Sequence, residues 1–143
     1  MNIIAIAIIG FLILEAMNVA TLYFFPGSKL ANGVGVFKAW EESKEYPNIH
    51  NFIKYLVNWV AGTKLIFIFL LIVILTFGDQ KTLLWTAVAL IASILSFFWR
   101  LFPWIRNMDN EAQIEPQNYS KGLGIMILSF VIVFFVAILI SVL

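Results

Sequence analysis

Four apolar runs, each about twenty residues long, leave this chain only one kind of surroundings in which to fold. They extend from about Ile3 to Phe25, Tyr55 to Phe77, Leu83 to Phe102 and Gly124 to Leu143. At 1.5 Å of rise per residue, about 20 helical residues cross the roughly 30 Å of hydrocarbon in a bilayer. Lipid offers no partner to an unpaired peptide group, so each run is expected to be a helix that satisfies its own backbone. Composition agrees: 62% of residues are hydrophobic and 12% charged, against about 45–50% and 25% in soluble domains. A core built from 143 residues is too small to hide that excess. The implied fold class is all-α: one polytopic membrane domain, residues 1–143, with four transmembrane helices in an up-down-up-down bundle. The bilayer is therefore the first partner. A formal charge of +1 leaves no basic field for nucleic acid. The absence of cysteine excludes disulfides, thiolate nucleophiles and Cys-ligated metals.

Pro26 and Pro103 are expected to stop the first and third helices, Gly78 to close the second, and Gly122 and Gly124 to precede the fourth. The first run is expected to be retained as a span, because Met1 and Asn2 supply no basic region and no small-residue cleavage pattern follows. Orientation follows from the basic residues. Lys29, Lys38, Lys44 and Lys54 lie in or beside the first long loop, and Arg100, Arg106 and Lys121 flank the second. Lys81 is alone in the Gly78-Asp79-Gln80-Lys81 turn. That bias predicts both long loops in the cytoplasm and both termini outside. Phe25-Pro26 with Lys29 echoes Phe102-Pro103 with Arg106, and Asn58-Trp59 with Gly62 echoes Asn118-Tyr119 with Gly122. Shared interface chemistry accounts for these short matches better than duplication of a helical hairpin.

The ionisable groups at membrane depth are the sharpest signal. Glu15 lies about ten residues, or 15 Å, from the loop end of the first span, and Lys64 about nine residues into the second. Antiparallel neighbours would carry these two at nearly the same level. An isolated charge at the bilayer centre costs about 2.5–3.5 kcal/mol even on the lenient insertion scale. A carboxylate and an ammonium facing each other would offset much of this, and we expect the two to touch. A neutral Glu15 carboxyl bonded to Asn18, one turn along, is the other arrangement the spacing allows. On a helical wheel Lys54, Asn58, Ala61 and Lys64 share one side of the second span, as Glu15, Asn18 and Thr21 do on the first. The candidate polar site is thus Glu15, Asn18, Asn58 and Lys64. In the third span Thr86, Ala89, Ser93, Ser96 and Arg100 repeat at three- and four-residue intervals and read as a helix-packing seam. The fourth span, interrupted only by Ser129 and Ser141, is expected to face lipid or a second copy.

The first loop reads as a short amphipathic helix over Val34–Tyr46, lying in the headgroup layer with Phe37 and Trp40 on its apolar side. Pro47 is expected to end it, and Asn48 or Asn51 to cap the second span. Trp40, His50, Lys54, Arg100, Trp104 and Arg106 form a candidate interfacial, headgroup-facing set. Asn32-Gly33-Val34-Gly35 lacks the preceding strand and third glycine of a phosphate loop. A single histidine builds no metal site, and Asp109, Glu111 and Glu115 lack a calcium-loop pattern, so no metal or other cofactor is expected. No catalytic grouping emerges, which leans away from an enzyme. Three functions stay open. One is an oligomeric transporter or pore working through Glu15 and Lys64. Another is a structural, assembly or regulatory subunit held to a partner membrane protein. The third is a lipid-binding or lipid-modifying protein.

Overall fold

The computed structural model describes residues 2–143, and among these it is all-helical. Helix α1 spans Ile3–Phe24, α2 Lys38–Glu42, α3 Pro47–Phe77, α4 Gln80–Asn110 and α5 Tyr119–Val142. Single 3-10 turns, Val34–Val36 and Ser43–Glu45, flank α2. Helices α1, α3, α4 and α5 are each long and apolar enough to cross a membrane. This is a multi-pass membrane protein.

Three helix ends differ from the sequence expectation. Helix α3 begins at Pro47, eight residues before the apolar run, because a proline in the first turn forfeits only a donor that a helix start leaves free anyway. Asn48 and Asn51 consequently lie inside α3 and do not cap it. Helix α4 runs through Pro103 to Asn110 instead of stopping. The proline removes one intrahelical hydrogen bond, while continuing the helix buries Ile105 against Val36 and Ile114. Helix α5 begins five residues early, at Tyr119, where Asp109 of α4 supplies acceptors to its first turn: the Asp109 carboxylate takes the Ser120 amide at 2.9 Å and the Ser120 hydroxyl at 2.6 Å. The α3–α4 turn follows the expectation. Gly78 closes α3 on the Ile74 carbonyl, and Asp79 caps α4 through the Thr82 amide at 2.8 Å.

The buried face of each span repeats at alternating four- and three-residue intervals. On α1 it is Ile4, Ile8, Phe11, Glu15, Asn18 and Leu22; on α3 it is Val57, Ala61, Lys64, Ile68 and Leu71. On α4 it is Leu83, Ala87, Leu90 and Ile94. The start of α1, the end of α3, the start of α4 and the end of α5 meet in one apolar cluster around Ile4, Leu71, Leu83 and Ala137. Successive spans therefore run in opposite directions. Towards the loop end the bundle divides into two pairs. Val19, Leu22, Val57 and Ala61 join α1 to α3, whereas α4 and α5 pack on Val36, Ile105 and Ile114.

The first loop fills the space between the pairs. Val34 packs on the α1–α3 cluster and Val36 on the α4–α5 cluster. Gly35 passes so close to Gly27 that an added Cβ would stand 1.9 Å from the Gly27 carbonyl oxygen. The loop also joins the second long loop in a one-residue antiparallel bridge between Phe37 and Ile114. The Lys38 amide donates to the Gln113 carbonyl (3.0 Å) and the Glu115 amide to the Val36 carbonyl (2.8 Å). The expected Val34–Tyr46 amphipathic helix is thus broken into turns, and only α2 is α-helical.

Candidate functional site

Lys64 and Glu15 both occupy packing positions of the α1–α3 seam. The Lys64 Nζ lies 2.7 Å from Glu15 Oε2 and 2.6 Å from Asn18 Oδ1, donating to both. Their side chains are half-buried, at 22% exposure for Glu15 and 32% for Lys64, and Asn18 is buried. Asn18 does a second job: its amide nitrogen donates to the Ala31 carbonyl of the inserted loop. That carbonyl is presented by two consecutive left-handed residues, Ala31 (φ 50°) and Asn32 (φ 56°). Asparagine tolerates this conformation, but alanine gives up about 1–2 kcal/mol there, which the bond from Asn18 helps to offset. Asn32 Oδ1 in turn accepts from the Tyr119 hydroxyl at 3.3 Å. A chain of contacts therefore runs from Lys64 through Asn18 and the loop to α5.

One turn towards the terminal end, the site meets a wall of aromatic rings. Phe11 packs edge-on against Phe67, Phe130 and Phe134, with centroids 6.1, 5.3 and 5.6 Å away. Rings from α1, α3 and α5 thus separate the charged pair from the terminal end, with Ile4 and Ile8 fully buried beyond them.

Asn58 does not join the cluster. It is exposed and donates to the Lys54 carbonyl of its own helix at 2.8 Å. The inward stripe of α3 is set by Val57 and Ala61, and Asn58 lies next to it, outside the seam. The proposed α4 seam is likewise turned outward. Ala89, Ser93, Ser96 and Arg100 are exposed, and the Thr86 and Ser96 hydroxyls donate back to their own helix at Thr82 and Ser93. Thr86 alone of that set is half-buried. The face that takes the contact is instead the apolar one of Leu83, Ala87 and Leu90.

The six interfacial residues do not form one surface. Trp40 is buried at 5% exposure, its ring 4.7 Å from that of His50. The Ser43 Oγ lies 2.8 Å from the Trp40 carbonyl, to which it can donate, and 2.8 Å from His50 Nδ1. Trp40 of the first loop and half-buried His50 at the start of α3 therefore pack on each other. Lys54, Arg100, Trp104 and Arg106 are exposed.

The two long loops are also linked by charge, between residues far apart in the sequence. Glu115 accepts from Lys29 at 3.1 Å, with Lys38 at 3.9 Å from its other oxygen. The hydrogen bond and charge of Lys29, aided by Lys38, hold the Glu115 carboxyl below its ordinary range. No spacing rule could reveal a pair 86 residues apart. Among the described residues, no three His, Asp or Glu side chains gather as a metal site. The assembled chemistry is hydrogen bonding and charge pairing at membrane depth. No family model matches this chain, and neither a curated protein nor a solved structure is similar to it.

Proposed function

We propose that this protein is a structural or assembly subunit of a membrane complex, in which Lys64, Glu15 and Asn18 clasp α1 to α3 and seat the first loop. The observation that carries this reading is that the polar groups of the site bind one another. Lys64 already binds two acceptors, and the Phe11, Phe67, Phe130 and Phe134 wall separates it from the terminal end. An ion pair of this kind contributes registry between helices, a well-attested use of buried charge. On the lysine and arginine bias, the loop end belongs on the cytoplasmic side, where the joined loops would meet a partner.

Charge exchange tests the clasp. Glu15→Lys and Lys64→Glu should each lose monodisperse protein, and the doubly exchanged chain should regain it. The intact protein, captured in mild detergent, should bring a second membrane protein in fixed stoichiometry. A chain that purifies only with itself contradicts an assembly role.

Transport through an oligomer is the second reading, and the incomplete burial of the Glu15 and Lys64 side chains favours it. Under that reading Glu15→Gln folds normally but abolishes solute flux in proteoliposomes, a result that would displace the clasp.

A further inference from the structure

A second polar feature lies where α4 leaves the membrane and α5 enters it, apart from the Glu15–Asn18–Lys64 cluster. A cavity of about 610 Å³ there is lined by Phe102, Arg106, Asp109, Gln117, Asn118 and Lys121, with further polar neighbours. Neither Arg106 nor Lys121 forms an ion pair with a carboxylate among the described residues. The carboxylate in the lining, Asp109, is directed at α5. Its Oδ1 accepts the Asn118 amide at 3.1 Å, and its Oδ2 accepts the amide and hydroxyl of Ser120. Asp109 thus occupies the free donors of the helix start; its charge also reaches Lys121, and the lining as a whole sets two cations against this one carboxylate, leaving it net positive.

Depth points to the same ligand. Helix α4 has 31 residues, about 46 Å of helix, so it outruns a hydrocarbon layer of roughly 30 Å. Counting about twenty residues from Gln80 places the boundary close to Phe102. Arg106 then stands about 6 Å beyond it, in a headgroup layer about 5–7 Å deep on each side. Lys121, in the first turn of α5, lies across the cavity from it. The wall is graded: Phe102, packed against Gly124, is its apolar element, and the cations stand on the water side. Arginine supplies a planar fork suited to phosphate and lysine a compact point charge.

We propose that this cavity holds the phosphate of an anionic membrane phospholipid, with Arg106 and Lys121 as its ligands and Phe102 against the glycerol and first acyl carbons. A free phosphate shares the headgroup chemistry but has no use for the apolar wall.

The test is native mass spectrometry of the full chain in uncharged detergent, with phosphatidylglycerol or phosphatidylcholine added. Phosphatidylglycerol should be retained at least about tenfold better: both lipids present a phosphate, but the choline ammonium of phosphatidylcholine neutralises it and would stand beside the same two cations. The R106Q/K121Q double variant should lose that preference, while R106K/K121R and the opposite-end Lys81→Gln should keep it. The charge-preserving pair separates loss of ligand contact from loss of fold, as does an unchanged elution profile for the glutamine variant. Equal retention of both lipids by the unaltered protein overturns the proposal, as does an undiminished preference in R106Q/K121Q. Displacement of phosphatidylglycerol by millimolar inorganic phosphate would overturn the assignment to lipid.

Discussion

Removing Lys64 should damage this protein more than removing the charge it pairs with. Lys64→Met withdraws the donor from both Glu15 and Asn18, leaving a carboxylate and an amide oxygen without their cation. Breaking a fully buried pair costs about 3–5 kcal/mol. The Glu15 and Lys64 side chains keep 22% and 32% exposure, so partial rehydration brings the expected loss to about 2 kcal/mol. Glu15→Gln keeps an acceptor beside Lys64 and leaves its bond to Asn18, so about 1 kcal/mol is expected. In the E15Q/K64M double variant the second change has less to break, and the total should stay near 2 kcal/mol instead of reaching the sum of about 3. The assay is unfolding in mixed micelles with rising dodecyl sulfate, followed by the fluorescence of the five tryptophans. Additivity within about 0.5 kcal/mol would show that the two residues do not act as a pair.

Phe134→Ala should cost about 3 kcal/mol in the same assay. The ring is 1% exposed and packs on Phe11, and lipid tails give its cavity no apolar compensation. Gly35→Ala should abolish the folded yield, since its Cβ would collide with the Gly27 carbonyl; Gly122→Ala, which meets nothing within 4 Å, should be neutral or stabilise α5 by up to about 1 kcal/mol. Glu115→Gln should free the first loop, read as faster hydrogen exchange at Val36, Lys38 and their neighbours. The folded Glu115 carboxyl is held below its unfolded range, so the latch is fully present above about pH 4.3 and is lost as pH falls through the folded value. Exchange corrected for intrinsic rate should therefore rise on acidification in the unaltered protein and not in Glu115→Gln.

Apolar length made the four spans legible, because that one quantity decides between water and lipid. Which face of each span packs was far less so. A helix that is apolar all round offers hydropathy no contrast, so the polar residues alone had to mark the interior. That rule succeeded for Glu15, Asn18 and Lys64, whose side chains gain from meeting one another. It failed for Asn58, Ser93 and Ser96, which lie outside the buried faces, two of them bonded to their own helix. The alternating four- and three-residue spacing of Val57, Ala61, Lys64, Ile68 and Leu71 was present in the sequence throughout, but nothing local separates it from parallel apolar rows. Pro103 reads as a stop because its local penalty is visible, whereas the burial of Ile105 that outweighs it depends on residues from both loops. The Glu115 latch and the Asp109 cap are tertiary in the same sense.

Contact between an acid and a base at membrane depth is the core of this account, and it can be measured in lipid. Rotational-echo double-resonance NMR on bilayer-embedded protein, with nitrogen-15 in the lysine ammonium and carbon-13 in the glutamate carboxyl groups, reads that separation directly. Lys64→Met serves as the control that assigns the signal. Lys64→Met should lose a dephasing component matching an N···O separation of 2.7 Å, while the Lys29–Glu115 and Lys44–Glu41 pairs keep theirs. Dephasing that is the same in the unaltered protein and in Lys64→Met would mean that Glu15 and Lys64 do not touch.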